Sequence, residues 1–296
     1  GSFNLGMESW HVDQLKATVK RQITARESLK NGDEYAGWLD DQFIDFVLLG
    51  VYNLNRHENV QVISSEKYAF AKRKVESLEK LVKNGTLQIE RVYNMMEDSG
   101  EYTPNAVRKV KHALDLSKID LSGAILESAG RRNPTDPLVG YNAASCAVII
   151  KHKESHFSFF VVDPQRYNDL YEPKLIYFDG LDLHFDPVED FQILAHANIA
   201  EMGGVPIAKK TNPDQEDAWS CGYRAIARVI KIVDWLADNR KYDKLKSRFK
   251  SERPLLHPDG PYLHRLTGDT CLKTLEHALD RSAVLISYLE LFRPEE

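Results

Sequence analysis

A run of short β-branched and aromatic segments between 147 and 208, giving way to one long apolar-periodic helix at Ser220, most limits what this chain can fold into. Ala147-Val148-Ile149-Ile150, Ser158-Phe159-Phe160-Val161-Val162-Asp163 and Leu175-Ile176-Tyr177-Phe178-Asp179 each read as a strand, with Val205-Pro206-Ile207-Ala208 a short fourth. Such runs between turn signals fit the central strands of an α+β sheet. From Ser220 to Ala237 the period becomes helical, with Ile226, Val229, Ile230 and Val233 on one face.

The flanking segments are largely helical in pattern. Val12, Leu15, Val19 and Ile23 space an amphipathic helix over 8–30, which Asn31-Gly32-Asp33 breaks. Apolar steps of three and four from Trp38 to Leu49 predict a second helix, with Asp40 or Asp41 as its cap. Val60 to Ile63 reads as a short strand, and Glu66 to Lys83 as a basic helix. Residues 84–135 are mostly polar, with a helix expected over Asn105 to Leu116, and read as a variable insertion. The tail carries helical patterns over Lys241 to Lys250 and Thr270 to Leu291. The expected organisation is one α+β domain over 8–240, a central mixed sheet flanked by helices. A helical C-terminal extension over 241–296 packs on it. Residues 1–7 (Gly1-Ser2-Phe3-Asn4-Leu5-Gly6 and Met7) read as a cloning remnant.

Charge and cysteine content then narrow the function classes. A net charge of -5 offers no basic face for nucleic acid. No apolar run reaches the roughly 18 residues that a membrane span needs. Three cysteines, Cys146, Cys221 and Cys271, are too few and too scattered for a disulfide framework or a metal knuckle. The simplest reading is free thiols in a reducing, cytoplasmic setting, where one thiol near a strand-borne His becomes a nucleophile candidate.

Cys221 stands between a polar loop, Thr211 to Ser220, and the long helix. A helix start presents unpaired N–H groups and a positive dipole end, which stabilise a thiolate. Gly222 leaves room for a substrate carbonyl. Position alone favours a small buried hydrophobe that begins a core helix. His156 heads one strand and Asp179 ends the next, so neighbouring strands would let the carboxylate orient the imidazole. Read singly, His156 is also a solvent-facing strand start and Asp179 a turn former before Gly180. Gln215, six positions before Cys221, can place an amide donor beside the helix start as part of an oxyanion hole.

Taken in order, these residues resemble the clan CE cysteine peptidases, which include SUMO-specific proteases, deneddylating proteases, adenovirus protease and bacterial effector deubiquitinases. The matching motifs are Trp38-Leu39-Asp40-Asp41, His156-Phe157 leading to Val162-Asp163, Tyr177-Phe178-Asp179-Gly180-Leu181, and Gln215 through Cys221-Gly222. They span about 36–237, with 84–135 unmatched. The resemblance implies a papain-like cysteine peptidase fold of the clan CE type, working without metal or cofactor. It implies His156 as general base, Asp179 as its orienting carboxylate, Gln215 as oxyanion donor and Cys221 as nucleophile. It also implies that Trp38 and Phe157 enclose the Gly-Gly tail of a modifier, and that Asp41 pairs with an arginine on the modifier's surface.

The chain departs from the family pattern at Phe157, where a Trp is usual, and at Gly180, where a Ser is usual. Glu216-Asp217-Ala218-Trp219-Ser220 lacks the Asn-Gly/Ser-x-Asp of the SUMO proteases. Those changes weaken a SUMO assignment and favour a bacterial-effector deubiquitinase, with ubiquitin or a ubiquitin-like protein as partner and a SUMO-specific or deneddylating protease kept as an alternative. Host target proteins and the host cytoplasm after secretion go with that reading. An effector acetyltransferase of the same clan, using acetyl-CoA, is the other alternative. Asp179, where those enzymes favour Glu, and the Trp38 motif speak against it. Only the basic runs Lys72-Arg73-Lys74 and Arg108-Lys109 with Lys111 favour it, and such runs are usually solvated helix faces.

Overall fold

In a computed structural model the described residues are 12–32, 38–57, 60–83, 146–163, 166–167, 170–171, 174–196, 207–239, 242–243, 248–249 and 266–291. The expected insertion over 84–135, its helix over Asn105 to Leu116 and the remnant at 1–7 lie outside them. The fold is α+β, with a five-stranded mixed sheet flanked by helices. In chain order the elements begin with α1 (Val12–Lys30) and α2 (Asp41–Asp45), which runs on into a π-helical turn, Phe46–Val51. Next come β1 (Val60–Ile63), α3 (Ser65–Lys83), β2 (Cys146–Lys153) and β3 (His156–Asp163). After the short pair β4 (Arg166–Tyr167) and β5 (Leu170–Tyr171) stand β6 (Lys174–Phe178), α4 (Pro187–His196) and β7 (Ile207–Lys210). The long α5 (Cys221–Asn239), the pair β8 (Tyr242–Asp243) and β9 (Arg248–Phe249), and α6 (Gly268–Leu291) complete the order.

The sheet order is β1-β2-β3-β6-β7. Its two outer pairs are parallel and its two inner pairs antiparallel. Strand alternation divides the apolar residues between two faces. Val148, Ile150, Phe159, Val161, Ile176 and Phe178 pack with Ile226, Val229 and Val233 of α5. Leu275, Ala278 and Leu279 of α6 and Leu15 and Val19 of α1 join the same core. The other face is covered by α3 and α4, where Tyr68 meets Phe160 edge-on. Asp40 caps α2 by accepting the Phe43 N–H at 2.7 Å.

The face under α3 and α4 hides a charged knot. Lys151 Nζ donates to Asp190 Oδ2 at 2.8 Å and to the His184 carbonyl at 2.9 Å. Tyr177 donates to the same carboxylate at 2.6 Å, and Tyr68 donates to its other oxygen. A buried carboxylate is tolerated only when its lone pairs are filled this way. The knot thereby holds α4 and the loop before it against the sheet.

Three local expectations change. Lys241 to Lys250 is not a helix: β8 and β9 pair there, with Tyr242 opposite Phe249 and Asp243 opposite Arg248. The register sets aromatic against aromatic and opposite charges across the pair, which favours the strands over the helix that the same apolar spacing allows. The fourth strand is described over 207–210, two residues past its expected end at 208, while 205–206 lie outside the described residues. Helix α4 went unread, although Asp186 accepts the Glu189 N–H and Pro187 stands at the first helical position. Among the described residues no helix is long and apolar enough to cross a membrane.

Removing the cation from the knot leaves Asp190 charged and buried. Lys151→Ala should lower unfolding free energy by about 3–5 kcal/mol, read from urea midpoints. Leu183→Ala, at a site 65% exposed, should stay within about 0.5 kcal/mol of the parent.

Candidate functional site

Turn chemistry, strand pairing and a helix start bring three side chains together. Between β2 and β3 the hairpin has only two residues, Glu154 and Ser155, both at positive φ (52° and 62°). That is the turn whose twist matches paired strands, and it makes His156 the first residue of β3, opposite Lys153. Phe157, Phe159 and Val161 take the α5 side of β3, so alternation sends His156, Ser158 and Phe160 the other way. Only at a strand end can such a side chain turn round the sheet toward the α5 layer. Asp179 follows β6, whose antiparallel register with β3 (Phe159 opposite Phe178) brings it beside His156.

The resulting array is short and buried. His156 Nε2 meets Asp179 Oδ1 at 2.5 Å, and Cys221 stands close enough to the same imidazole to raise its proton affinity, with Nδ1 the remaining ring nitrogen. His156, Asp179 and Cys221 are all buried. Burial opposes a charged imidazole, but hydrogen bonds and charge from Asp179 and Cys221 outweigh it and push His156 up to about 9. Burial would likewise raise Asp179. The His156 bond and the backbone N–H groups of His184 and Leu181 instead hold its carboxyl well below the usual range.

The loop before Cys221 is tied at several points. Gln215 N–H donates to the Gly180 carbonyl at 3.1 Å, and Thr211 N–H to the Tyr177 carbonyl at 3.0 Å. Asp217 Oδ1 accepts the N–H groups of Trp219 and Ser220, and its Oδ2 accepts the Ser220 hydroxyl. Ser220 Oγ in turn accepts from Arg224 Nε at 2.7 Å, and Arg224 reaches the Leu266 carbonyl at the head of α6. The Gln215 amide donates one N–H to the Asp217 carbonyl at 2.8 Å; its Oε1 is buried without a hydrogen-bond partner and lies against Gly180. A Cβ at Gly180 would stand 2.8 Å from Gln215 Cβ and 2.9 Å from Oε1. This contact accounts for glycine where the resembling family carries Ser.

The residues expected to bind substrate fall into three situations. Trp38 is 40% exposed and its indole N–H donates to the Ala218 carbonyl at 2.9 Å, so it borders the loop that ends in Cys221. Phe157 is buried, with the His152 ring stacked on it at 3.9 Å and 8°, so one of its faces is already covered. Asp41 is engaged within the chain: His152 Nδ1 lies 2.8 Å from its carboxylate, and Ser65 donates to it at 2.8 Å. At Gly222 a Cβ would meet Leu39 side-chain atoms at 3.0–3.3 Å. The glycine thus admits Leu39 of the Trp38 motif, where the sequence reading had it admit a substrate carbonyl.

His184, Ser158, Asp217 and Arg224 escaped sequence reading. Asp217-x-x-Ser220 at a helix start was the one available signal, a polar pairing suited to loop ends. The ligand atoms of His156, Asp179 and His184 lie within 4.8 Å of one another, near enough for a metal. Each nonetheless has protein partners: His156 and Asp179 bond each other, and both His184 ring nitrogens are engaged. The three form a hydrogen-bonded network rather than an open ligand set. A scan against protein-family models and a search of curated proteins both find no match.

Two outcomes follow from this geometry. A raised folded-state value means His156 stabilises the fold fully below its ordinary value near 6.5 and loses that contribution as pH climbs through about 9. The difference in urea midpoint between the parent and His156→Gln should therefore shrink between pH 6 and 10. Taking the difference cancels other groups such as Asp45, whose carboxyl burial pushes up to about 8. Gly180→Ala should cost on the order of 1–3 kcal/mol by overpacking Gln215, read from the same midpoints.

Proposed function

We propose that this protein is a thiol isopeptidase of the clan CE type, cleaving after the C-terminal Gly-Gly of ubiquitin or a ubiquitin-like modifier. The observation that carries the reading is the buried Cys221–His156–Asp179 array at the start of α5. An imidazole of such high proton affinity beside the thiol is suited to take the proton as sulfur attacks, and a helix start favours developing negative charge on sulfur. A carboxylate on Nε2 stabilises the imidazolium and aims Nδ1 at sulfur.

The chemistry runs in two halves. Cys221 sulfur attacks the carbonyl carbon of the modifier's terminal glycine, and N–H groups at the helix start, with the free Gln215 N–H, take up the oxyanion. The C–N bond breaks as the imidazolium gives its proton to the lysine amine, leaving a thioester on Cys221. Water then adds to the thioester while His156 takes its proton. The C–S bond breaks as His156 returns its proton to the sulfur, releasing the carboxylic acid, which gives its own proton to water.

Support for the substrate class comes from the motif around Trp38. Its indole is pinned to the carbonyl of Ala218, three residues before Cys221, and Leu39 packs on Gly222. An aromatic wall held there favours a side-chain-free dipeptide by excluding bulkier ones. The His152–Asp41 pair leaves the modifier's arginine to compete for a carboxylate already occupied.

Incubation with propargyl-warheaded ubiquitin, SUMO and the Nedd modifier, beside a Cys221→Ala control, tests the reading. An adduct with at least one modifier, absent from Cys221→Ala, is expected. No adduct with any of them, together with acetyl transfer from acetyl-CoA, rejects it. Trp38→Ala should lower turnover of a Gly-Gly substrate by about 10²-fold while leaving Cys221 alkylatable; unchanged turnover removes Trp38 from the tunnel.

A further inference from the structure

Resting on the thiol-peptidase reading, we propose that His184 is a positioning residue, a neutral imidazole wedged between Ser158 and Lys153 that sets the ring plane of His156. His184 Nε2 lies 3.1 Å from the Lys153 carbonyl, which can only accept, so Nε2 carries the hydrogen. Nδ1 is then the acceptor for the Ser158 hydroxyl at 2.7 Å. The backbone is pinned as firmly: its N–H donates to Asp179 Oδ2 at 2.7 Å, and its carbonyl accepts from Lys151. With both ring nitrogens and both backbone groups engaged, His184 has one seat.

From that seat its ring meets the ring of His156 at 4.7 Å and 66°, an edge-on contact. The bond from Asp179 to Nε2 is a single pivot, about which an imidazole can still swing. A rigid ring against its side removes the swing and keeps Nδ1 on the line to Cys221. The backbone N–H of the same residue, with that of Leu183, occupies the second oxygen of Asp179, while Oδ1 takes His156 and the Leu181 N–H. Ser158 belongs to the device because it shares a face of β3 with His156, two residues on.

The arrangement works only while His184 is uncharged. The groups facing it are the His156 imidazolium from β3, Asp179 at the end of β6, and Lys151 and the Lys153 carbonyl from β2. Burial, the His156 charge and Lys151 oppose a second cation more than Asp179 and Lys153 favour it, and His184 is held down to about 4. As pH falls through that value, Nδ1 gains a hydrogen and turns from acceptor to donor toward Ser158 Oγ, and the second cation repels the His156 imidazolium from its place.

The test needs no substrate. Alkylation of Cys221 by iodoacetamide across pH 4–9 should be far faster for the parent than for a free thiol. His184→Ala should slow it by about 10²-fold with an altered pH profile, as for a misplaced reacting group. His184→Gln, whose amide can accept from Ser158 and donate to Lys153, should recover most of the rate. Nitrogen NMR of the parent should find His184 neutral, hydrogen on Nε2, from pH 5.5 to 9. A His184 that titrates near its ordinary value, or equal losses in both variants, overturns the proposal. Parent Cys221 no more reactive than a free thiol sinks the peptidase reading itself. A reactive parent with an equally reactive His184→Ala sinks only the positioning role.

Discussion

The carboxylate of Asp179 accepts hydrogen bonds from the His156 ring and from the backbone N–H groups of Leu181, Leu183 and His184. An anion buried to this degree is stable only when its lone pairs are filled, and these four donors fill them. The consequence runs both ways. The loop after β6 is wrapped around the carboxylate, and the carboxylate is aimed at one imidazole nitrogen. Asp182 adopts a left-handed backbone (φ 55°) within that wrap and pairs outward with Lys210. That loop also carries Leu181, Leu183 and Phe185, each at least 36% exposed, yet it is anchored from within.

A second set of buried polar contacts anchors the nucleophile's side. Asp217 folds the end of the loop onto Ser220, Ser220 joins Arg224, and Arg224 reaches the carbonyl of Leu266. Asp214 pairs with both Arg224 and Arg228. Through these contacts the start of α5 is tied to the head of α6, so the C-terminal helix bears on the position of Cys221. The two anchors meet at Gly180, whose missing side chain admits Gln215. Pre-organisation of this sort matters because a reacting group misplaced by an ångström loses much of its rate.

Much of this was legible in residue order. The strand runs at 147–150, 158–163 and 175–178 and the helix after Ser220 lie within the observed elements, since uninterrupted apolar runs and a clean 3.6 period survive any packing. Cys221, His156 and Asp179 stand at a helix start and two strand ends, but singly each also fits a structural role, and only their order with Gln215 and Trp38, which resembles a known peptidase pattern, set them apart. Lys241 to Lys250 misled because its apolar spacing is as compatible with a strand pair as with a helix. His184 was invisible because a lone His in a turn carries no pattern; its role lies in Ser158 and Lys153, 26 and 31 positions away.

By itself, the sequence determined the types of the long central strands and of the helix after Ser220, the order of the thiol, imidazole and carboxylate residues, and the glycines beside them. Those properties are local: periodicity, turn chemistry and helix-start dipoles act over a few residues. The tertiary structure alone decided that Asp41 is held by His152, that Phe157 has a covered face, and that Gly222 makes room for Leu39. Asp41 with His152 and Gly222 with Leu39 lie far apart in the chain, and His152 faces Phe157 only through the hairpin register, so strand register and helix packing bring all three into range.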